Sequence, residues 1–381
     1  MWITLHYFLG VNRIKGENHM LYQIALTLVP GIGDILGKKL VMTAGSAEAV
    51  FREPSRALRK IHRSAGPLLA GLNSKEILLR AERELGFIRR GGITPLFFTD
   101  PAYPKLLKNC IDSPVMIYFR GNVPLNDRRT IGIVGTRKAT EYGKYVCRKL
   151  VEGLKESEVT VVSGLAYGID SCAHRAALDN GIPTIGVLGH GLDRIYPPVH
   201  RSIAEKMVLN GGLVTDFTSG TRPDRENFPR RNRIIAGMCD ALVVVEAAAK
   251  GGALITAEIA NSYNRDVFAV PGRLGDPYSE GTNFLIMSNK AGLIQSVEDI
   301  EVFMGWRKRP QAAAAVQRKI FIEMTPEEEK IVRLLEKGTG MGIDDLMISS
   351  GLTMSRTSAA LLNLEFEGIV RCLPGKVYQL V

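Results

Sequence analysis

From Thr130 to Val270 the chain repeats one pattern: a short β-branched or apolar run, a turn, then a helical stretch. The runs are Thr130–Val134, Val159–Val162, Thr184–Leu188, Leu213–Thr215, Ala241–Val245 and Val267–Val270. Between them Glu141–Lys155, the segment from Gly168, Val199–Leu209, Asn232–Met238 and Ala253–Tyr263 carry helical patterns. Runs that are apolar throughout, rather than alternating, belong to strands buried on both faces. Strand and helix in strict alternation predict a parallel, doubly wound α/β sheet. In such a sheet ligands bind outside the carboxyl ends of the strands. The turns that follow the runs are therefore where function is expected.

Three of those turns are glycine-bearing and suit phosphate. Gly132-Ile133-Val134-Gly135-Thr136-Arg137 closes the first run. Ser163-Gly164-Leu165-Ala166-Tyr167-Gly168 leads from a strand into a helix, and Lys250-Gly251-Gly252 opens another, with Thr256 one turn on. Amides uncovered by side chains at a helix start attract anions. Arg137, beside glycines at a strand end, suits a bidentate phosphate contact. Three such turns along one edge make a line longer than a mononucleotide requires, which favours a polymer. Thr221–Arg233 is the densest basic stretch, with Arg222, Arg225, Arg230, Arg231 and Arg233 around Asn227, Phe228 and Pro229. Arginines beside an aromatic platform are what single-stranded nucleic acid needs.

The first turn is not G-x-G-x-x-G, and the second strand ends in Ser163-Gly164 where a dinucleotide fold carries an acid, so NAD is disfavoured. No G-x-x-x-x-G-K-[ST] occurs, which excludes a P-loop. No cofactor, no metal and no catalytic residue is expected. His190, in a loop at the sheet edge, is the one histidine placed to titrate near neutrality. The net charge of +10 points to an anionic partner. Five widely spaced cysteines without a CxxC suit a reducing cytoplasm rather than zinc. No apolar run reaches transmembrane length, and no membrane partner is expected.

The flanks differ from this core. Residues 1–19 form an atypical leader that lacks the features of a signal peptide and is expected to add nothing to binding or stability, the helical pattern starting at Met20. Residues 20–85 read as a small helical domain. Within it Pro30-Gly31-Ile32-Gly33 between two helices is similar to the helix-hairpin-helix element, whose glycine amides touch phosphates; a purely structural hairpin fits as well. Residues 86–305 form the core and 306–324 a basic linker. Residues 325–381 give three helices and a hairpin across Pro374-Gly375, read as a winged helix, with Thr325 an N-cap and Pro326 at the first helical position. The third of those helices, Thr353–Phe366, carries Arg356 as its only basic residue, so major-groove reading looks poor there.

Taken jointly, these motifs resemble the DprA/Smf family of bacterial DNA-processing proteins. The residues that carry the resemblance are Gly132–Arg137, Ser163–Asp170, Gly189–Pro197, Phe228–Gly237, Gly252–Ala257, Val270-Pro271-Gly272 and Gly281-Thr282-Asn283. The resemblance implies an extended Rossmann-like core, a sterile-alpha-motif-like helical domain before it and a winged helix after it. It implies binding and protection of single-stranded DNA, loading of the RecA recombinase during natural transformation, and a homodimer. By it, Arg137, Ser163, Gly164 and the Phe228–Arg233 segment line the DNA pocket, and Phe284, Leu285, Ile286 and Leu293 supply the dimer interface. Gly251 stands where the family usually has serine. The competing class is a nucleotide phosphoribohydrolase of the lysine-decarboxylase-like superfamily. Of its Gly-Gly-x-Gly-Thr-x-x-Glu motif, Gly251-Gly252 and Glu258 are present, but Leu254-Ile255 replaces Gly-Thr.

Overall fold

A computed structural model describes residues 19–59, 66–306, 324–336, 340–373 and 376–380. The leader up to residue 18, nearly all of the linker and the Pro374-Gly375 turn lie outside the described residues. The chain forms two compact units, divided between Lys308 and Arg309.

The first unit opens with helices: α1 (19–28), α2 (Asp34–Ala44), α3 (Ala47–Arg52), α4 (Pro54–Arg59), α5 (Gly66–Leu72) and α6 (Lys75–Gly91). Local chemistry sets their ends. Ser46 accepts the Ala49 amide at 3.0 Å to start α3, and Gly92, at φ 58°, closes α6 in a left-handed turn. Strands β1 (Thr94–Phe97), β2 (Met116–Gly121) and β3 (Arg129–Val134) follow, with α7 (Lys105–Lys108) between the first two. Then come α8 (Glu141–Gly153), β4 (Val159–Ser163), α9 (Ile169–Asp179), β5 (Thr184–Val187), α10 (Arg201–Leu209), β6 (Gly211–Thr215), α11 (Asn227–Met238), β7 (Ala241–Val244) and α12 (Gly252–Ser262). Finally β8 (Asp266–Ala269), α13 (Glu280–Met287), β9 (Gly292–Leu293) and α14 (Val297–Phe303) complete it.

These strands make a nine-stranded sheet in the order β1-β2-β6-β5-β4-β3-β7-β8-β9. From β6 to β9 every pair is parallel; β2 runs antiparallel to both β6 and β1. The predicted parallel sheet is present, extended by two strands of opposite pairing. Because β3 passes to β4 on one side while β7 joins on the other, the switch point falls between β3 and β7.

Alternate residues of each strand feed two apolar layers. Ile131, Ile133, Val161 and Val243 pack against α8, α9 and α14. Val162, Val187, Leu242 and Val244 pack on the other face against α11 and α12. The same layer continues without a break into Ile24, Leu40 and Val50 of the N-terminal helices. The sequence sets residues 20–85 apart as a domain; their apolar faces instead share the core of the sheet, so they form one unit with it. The hairpin before α2 leads into a helix tied to the strand side of the sheet. Asp34 at the start of α2 puts a carboxylate there, accepting the Val115 amide at 2.9 Å.

The second unit holds α15 (Pro326–Leu335), α16 (Ile343–Ser350) and α17 (Met354–Phe366) with strands β10 (Met341–Gly342), β11 (Val370–Leu373) and β12 (Val377–Leu380). Its sheet runs β10-β12-β11, and Ile331, Leu346, Leu361 and Leu364 form its core. Thr325 accepts the Glu328 amide while Glu328 accepts the Thr325 amide at 2.8 Å, a capping box with Pro326 in the first turn. This is a winged helix, as the sequence predicts.

Candidate nucleic-acid interface

A cleft of about 720 Å³ lies at the switch point. The turn after β3 forms one wall, with Gly135, Thr136 and Arg137, and the start of α12 forms the opposite wall, with Lys250, Gly251, Gly252 and Thr256. Tyr196, Arg225 and Phe228 close the third side. Backbone contacts fix the first wall. The Thr136 amide donates to the Glu246 carbonyl at 2.8 Å, and the Ile169 amide donates to the Thr136 carbonyl at 3.2 Å. Gly168 makes this possible: it sits at φ +81°, and a Cβ there would come within 2.1 Å of the Thr136 oxygen.

Arg137 is exposed, with its guanidinium carbon 5.2 Å from the Phe228 ring centroid. The Tyr196 ring lies 6.1 Å from Phe228 on a tilted plane. A free guanidinium thus stands beside two half-open aromatic rings. Opposite, Gly251 and Gly252 are exposed, and no atom lies within 4 Å of a Cβ built at Gly251. The start of α12 is thus left uncovered by side chains, where its dipole favours an anion. Family serine or present glycine, this third turn keeps its access.

The Ser163–Gly168 turn is different. The sequence predicts that Ser163 and Gly164 bind phosphate. In the structure Ser163 is fully buried and its hydroxyl donates to the Ile133 carbonyl at 2.6 Å. Gly164 is buried because Arg231 crosses it; a Cβ would lie 2.3 Å from the Arg231 guanidinium. The Ala166 amide donates to Asp170 at 3.4 Å. This turn is filled from within, and its glycines serve close packing.

Arg231 and Arg233 are corrected in the same way. The sequence places Phe228–Arg233 along a groove, but these residues form the first turns of α11, where positions 230, 231 and 233 point in different directions. Arg231 is 3 % exposed, and its guanidinium donates to the Gly164 and Val187 carbonyls. Burial lowers its pKa to about 10, with Asp170 acting the other way; burial in turn raises Asp170 against the pull of Arg231. Arg233 bridges Asp34 at 2.9 Å and Asp216 at 2.7 Å. Burial works against its charge, but the two carboxylates outweigh it and raise its pKa. Arg230 alone of the three is exposed, its guanidinium carbon 5.5 Å from the Phe217 ring centroid.

Other predicted residues have local partners. Asn227 donates from its amide to the Arg222 carbonyl at 3.1 Å, and the Thr256 hydroxyl donates to the Gly252 carbonyl at 2.9 Å. Both hold the cleft's shape. His190 is buried, its Nδ1 2.9 Å from the Gly191 carbonyl, and burial depresses its pKa. Burial drives His174 down to about 3, so it stays neutral beside Thr184 at 2.7 Å. Tyr196 is a cleft residue that sequence reasoning does not assign to binding; its signal was a position in the turn after β5. At the far edge Leu285 is 1 % exposed inside the core and cannot serve an interface as the sequence predicts. Phe284, Met287 and Leu293 are the exposed ones, at 48, 74 and 44 %. Among the described residues no helix is long and apolar enough to cross a membrane.

Fold and site together define an α/β protein with a Rossmann-like sheet, a cleft at its switch point lined by Arg137 and the start of α12, and a C-terminal winged helix as a separate unit. The chain belongs to the DNA recombination-mediator protein A family, DprA/Smf, which matches residues 94–305; the DprA winged helix domain matches residues 308–376. It is 32 % identical to protein Smf of Synechocystis over 400 residues, covering 94 % of this chain and 98 % of that one. It is 40 % identical to the DNA processing protein DprA of Streptococcus pneumoniae over 201 residues, 53 % of this chain and 71 % of the relative. The X-ray structure of S. pneumoniae DprA superposes with a TM-score of 0.59 at 28 % identity, covering 75 % of this chain and 97 % of that chain. A Helicobacter pylori DNA processing protein A structure, described for its single-stranded DNA binding mode, gives a TM-score of 0.50 at 28 % identity, over 56 % of this chain and 94 % of that one.

Proposed function

We propose that the chain binds single-stranded DNA across the switch-point cleft and passes it to a RecA-type recombinase. The observation that carries the first part is the exposed Arg137 guanidinium 5.2 Å from the Phe228 ring, facing an open helix start. Arg137 and the α12 amides take phosphates, and Phe228 with Tyr196 offers flat faces to unstacked bases. A duplex keeps its bases stacked inward and cannot use those rings. The H. pylori relative's single-stranded DNA binding mode supports the same ligand. Recombinase loading rests on the family resemblance, and self-association on the exposed Phe284, Met287 and Leu293 beside edge strand β9.

We read the cleft as a binding site rather than a hydrolase centre. Glu258, the one acid of the half-present phosphoribohydrolase motif, is exposed and pairs with Lys290 at 3.3 Å, away from the cleft lining. The test is fluorescence anisotropy with single- and double-stranded oligonucleotides of one sequence. A clear preference for the single strand is expected; equal or tighter duplex binding overturns the reading. Release of free base from a nucleoside monophosphate overturns the non-enzymatic part. Recombinase loading is tested by RecA ATPase on a strand precoated with single-strand-binding protein, where addition of this protein should shorten the lag.

A further inference from the structure

We propose that a second groove, along α6, continues the single-strand path beyond the cleft and binds DNA phosphates there; this rests on the reading of the cleft just given. The groove has a volume of about 930 Å³ and is walled by α6 and by the Ser219–Gly220 loop. Leu79, Arg83, Gly86 and Arg90 follow one another along one side of the helix, at the spacing that puts residues on a single stripe. Gly86 keeps the floor low: the only atom within 4 Å of a Cβ built there is an Arg90 guanidinium nitrogen, at 3.4 Å.

The opposite wall is built rather than incidental. Glu84 is 2 % exposed, an unusual place for a carboxylate. It accepts the Ser219 amide at 2.8 Å and the Ser219 hydroxyl, and Arg80 donates to it at 2.9 Å. Arg80 also donates to the Ser219 carbonyl. The Gly220 amide donates to Asp193 at 3.0 Å. The loop is thus pinned to the helix by a satisfied ionic network. Arg80 and Glu84 neutralise each other, while Arg83 and Arg90 have no acidic partner among the described residues. Glu82 on the rim is the one opposing charge in the lining.

Continuity with the cleft selects the occupant. From Gly220 the chain reaches Arg225, a cleft residue, in five steps, at most roughly 18 Å of extended backbone. Arg222, exposed, stands in that stretch together with the exposed acid Asp224; Arg230 lies beyond it in α11, over the Phe217 ring. A strand leaving the cleft past Arg225 passes Arg222 before it reaches Arg83 and Arg90. The helix lies before residue 94, where the family match begins.

The experiment compares oligonucleotides of about 6 and about 25 nucleotides, the short one able to fill the cleft alone. In the full chain, Arg83→Ala with Arg90→Ala should leave the short strand's affinity unchanged. It should weaken the long strand about tenfold at low salt and flatten its slope of log affinity against log salt by ~1.4, two phosphates at ~0.7 each. Gly86→Leu, which favours the helix while filling the groove floor, should weaken only the long strand and leave the slope per remaining contact intact. Unchanged long-strand binding in both variants overturns the groove, and so does an equal loss for both lengths. Failure of the wild type to bind the short strand overturns the cleft reading, and with it the path; the two failures are told apart by the short strand alone.

Discussion

Arg233→Ala separates a structural arginine from a phosphate-binding one. The guanidinium joins Asp34 of α2 to Asp216 after β6, at 2.9 and 2.7 Å, with its side chain 12 % exposed. Asp34 is 28 % exposed and would rehydrate at small cost when the partner leaves. Asp216 is 6 % exposed, and its Oδ1 already lacks a partner. It would be left as a buried, unpaired charge, a loss of about 3–5 kcal/mol. For a unit this large that lowers the melting temperature by roughly 6–12 °C. The loss should depend on pH. Burial already raises Asp216, and Arg233 is the main force acting against that rise. Without Arg233 the carboxyl moves further up. A carboxyl whose folded pKa exceeds its unfolded value adds stability at acid pH and loses it as pH rises through the folded pKa. The deficit against wild type should therefore be largest near neutrality and shrink as the pH falls through the raised Asp216 pKa. Asp216→Asn in the Arg233→Ala background should recover about 2 kcal/mol, because an amide is far cheaper to bury than a charge. The assay is thermal and urea unfolding across pH, with single-strand anisotropy at a temperature where the variant is folded. Affinity should change less than about threefold, since a distant charge acts only through the screened field. A variant that melts like wild type but loses binding refutes the whole assignment.

Arg137→Ala should weaken single-strand binding roughly ten- to a hundredfold, the value of a charge-assisted contact, and flatten the salt slope by ~0.7 without regard to base sequence; Arg137→Lys should recover only part of it, a point charge lacking the fork. Phe228→Ala should lower affinity without moving that slope, since stacking releases no counterions. Leu285→Asp should unfold the first unit, whereas Phe284→Asp with Met287→Asp should leave it folded and shift sedimentation towards monomer; an unchanged sedimentation profile in the double variant removes that face from self-association. Gly168→Ala should cost about 1–3 kcal/mol through its positive φ and the Thr136 contact, and should weaken DNA binding by displacing the Arg137 turn; normal binding at wild-type stability would show the turn is not held as described.

What was legible in the sequence, and what was not, follows from the range of each interaction. The order of strands and helices from Thr130 to Val270 is carried by local apolar patterning, and the turns at the strand ends follow from it. Arg137 and Gly251-Gly252 sit directly at those ends, so a strand boundary is enough to place them at the switch point. Ser163, Arg231 and Arg233 needed more. Their fate is decided by partners at Ile133, at Gly164 and Val187, and at Asp34 and Asp216. Nothing local marks Asp34 as the counter-charge for a residue 199 positions away. The error over the basic stretch had one local cause as well. A helix starting only at Asn232 leaves Phe228–Arg231 outside it and lets Arg230, Arg231 and Arg233 line one groove, whereas a helix starting at Asn227 turns successive residues by about 100°. A Pro at position 229 hid that start, though proline is tolerated in a first turn. Once the helix is extended back, burial of Arg231 follows from geometry. Arg233, two positions further along, faces the Asp34 and Asp216 carboxylates. Of the arginines the sequence assigns to phosphate, that leaves Arg137 and Arg230 exposed, each beside an aromatic ring.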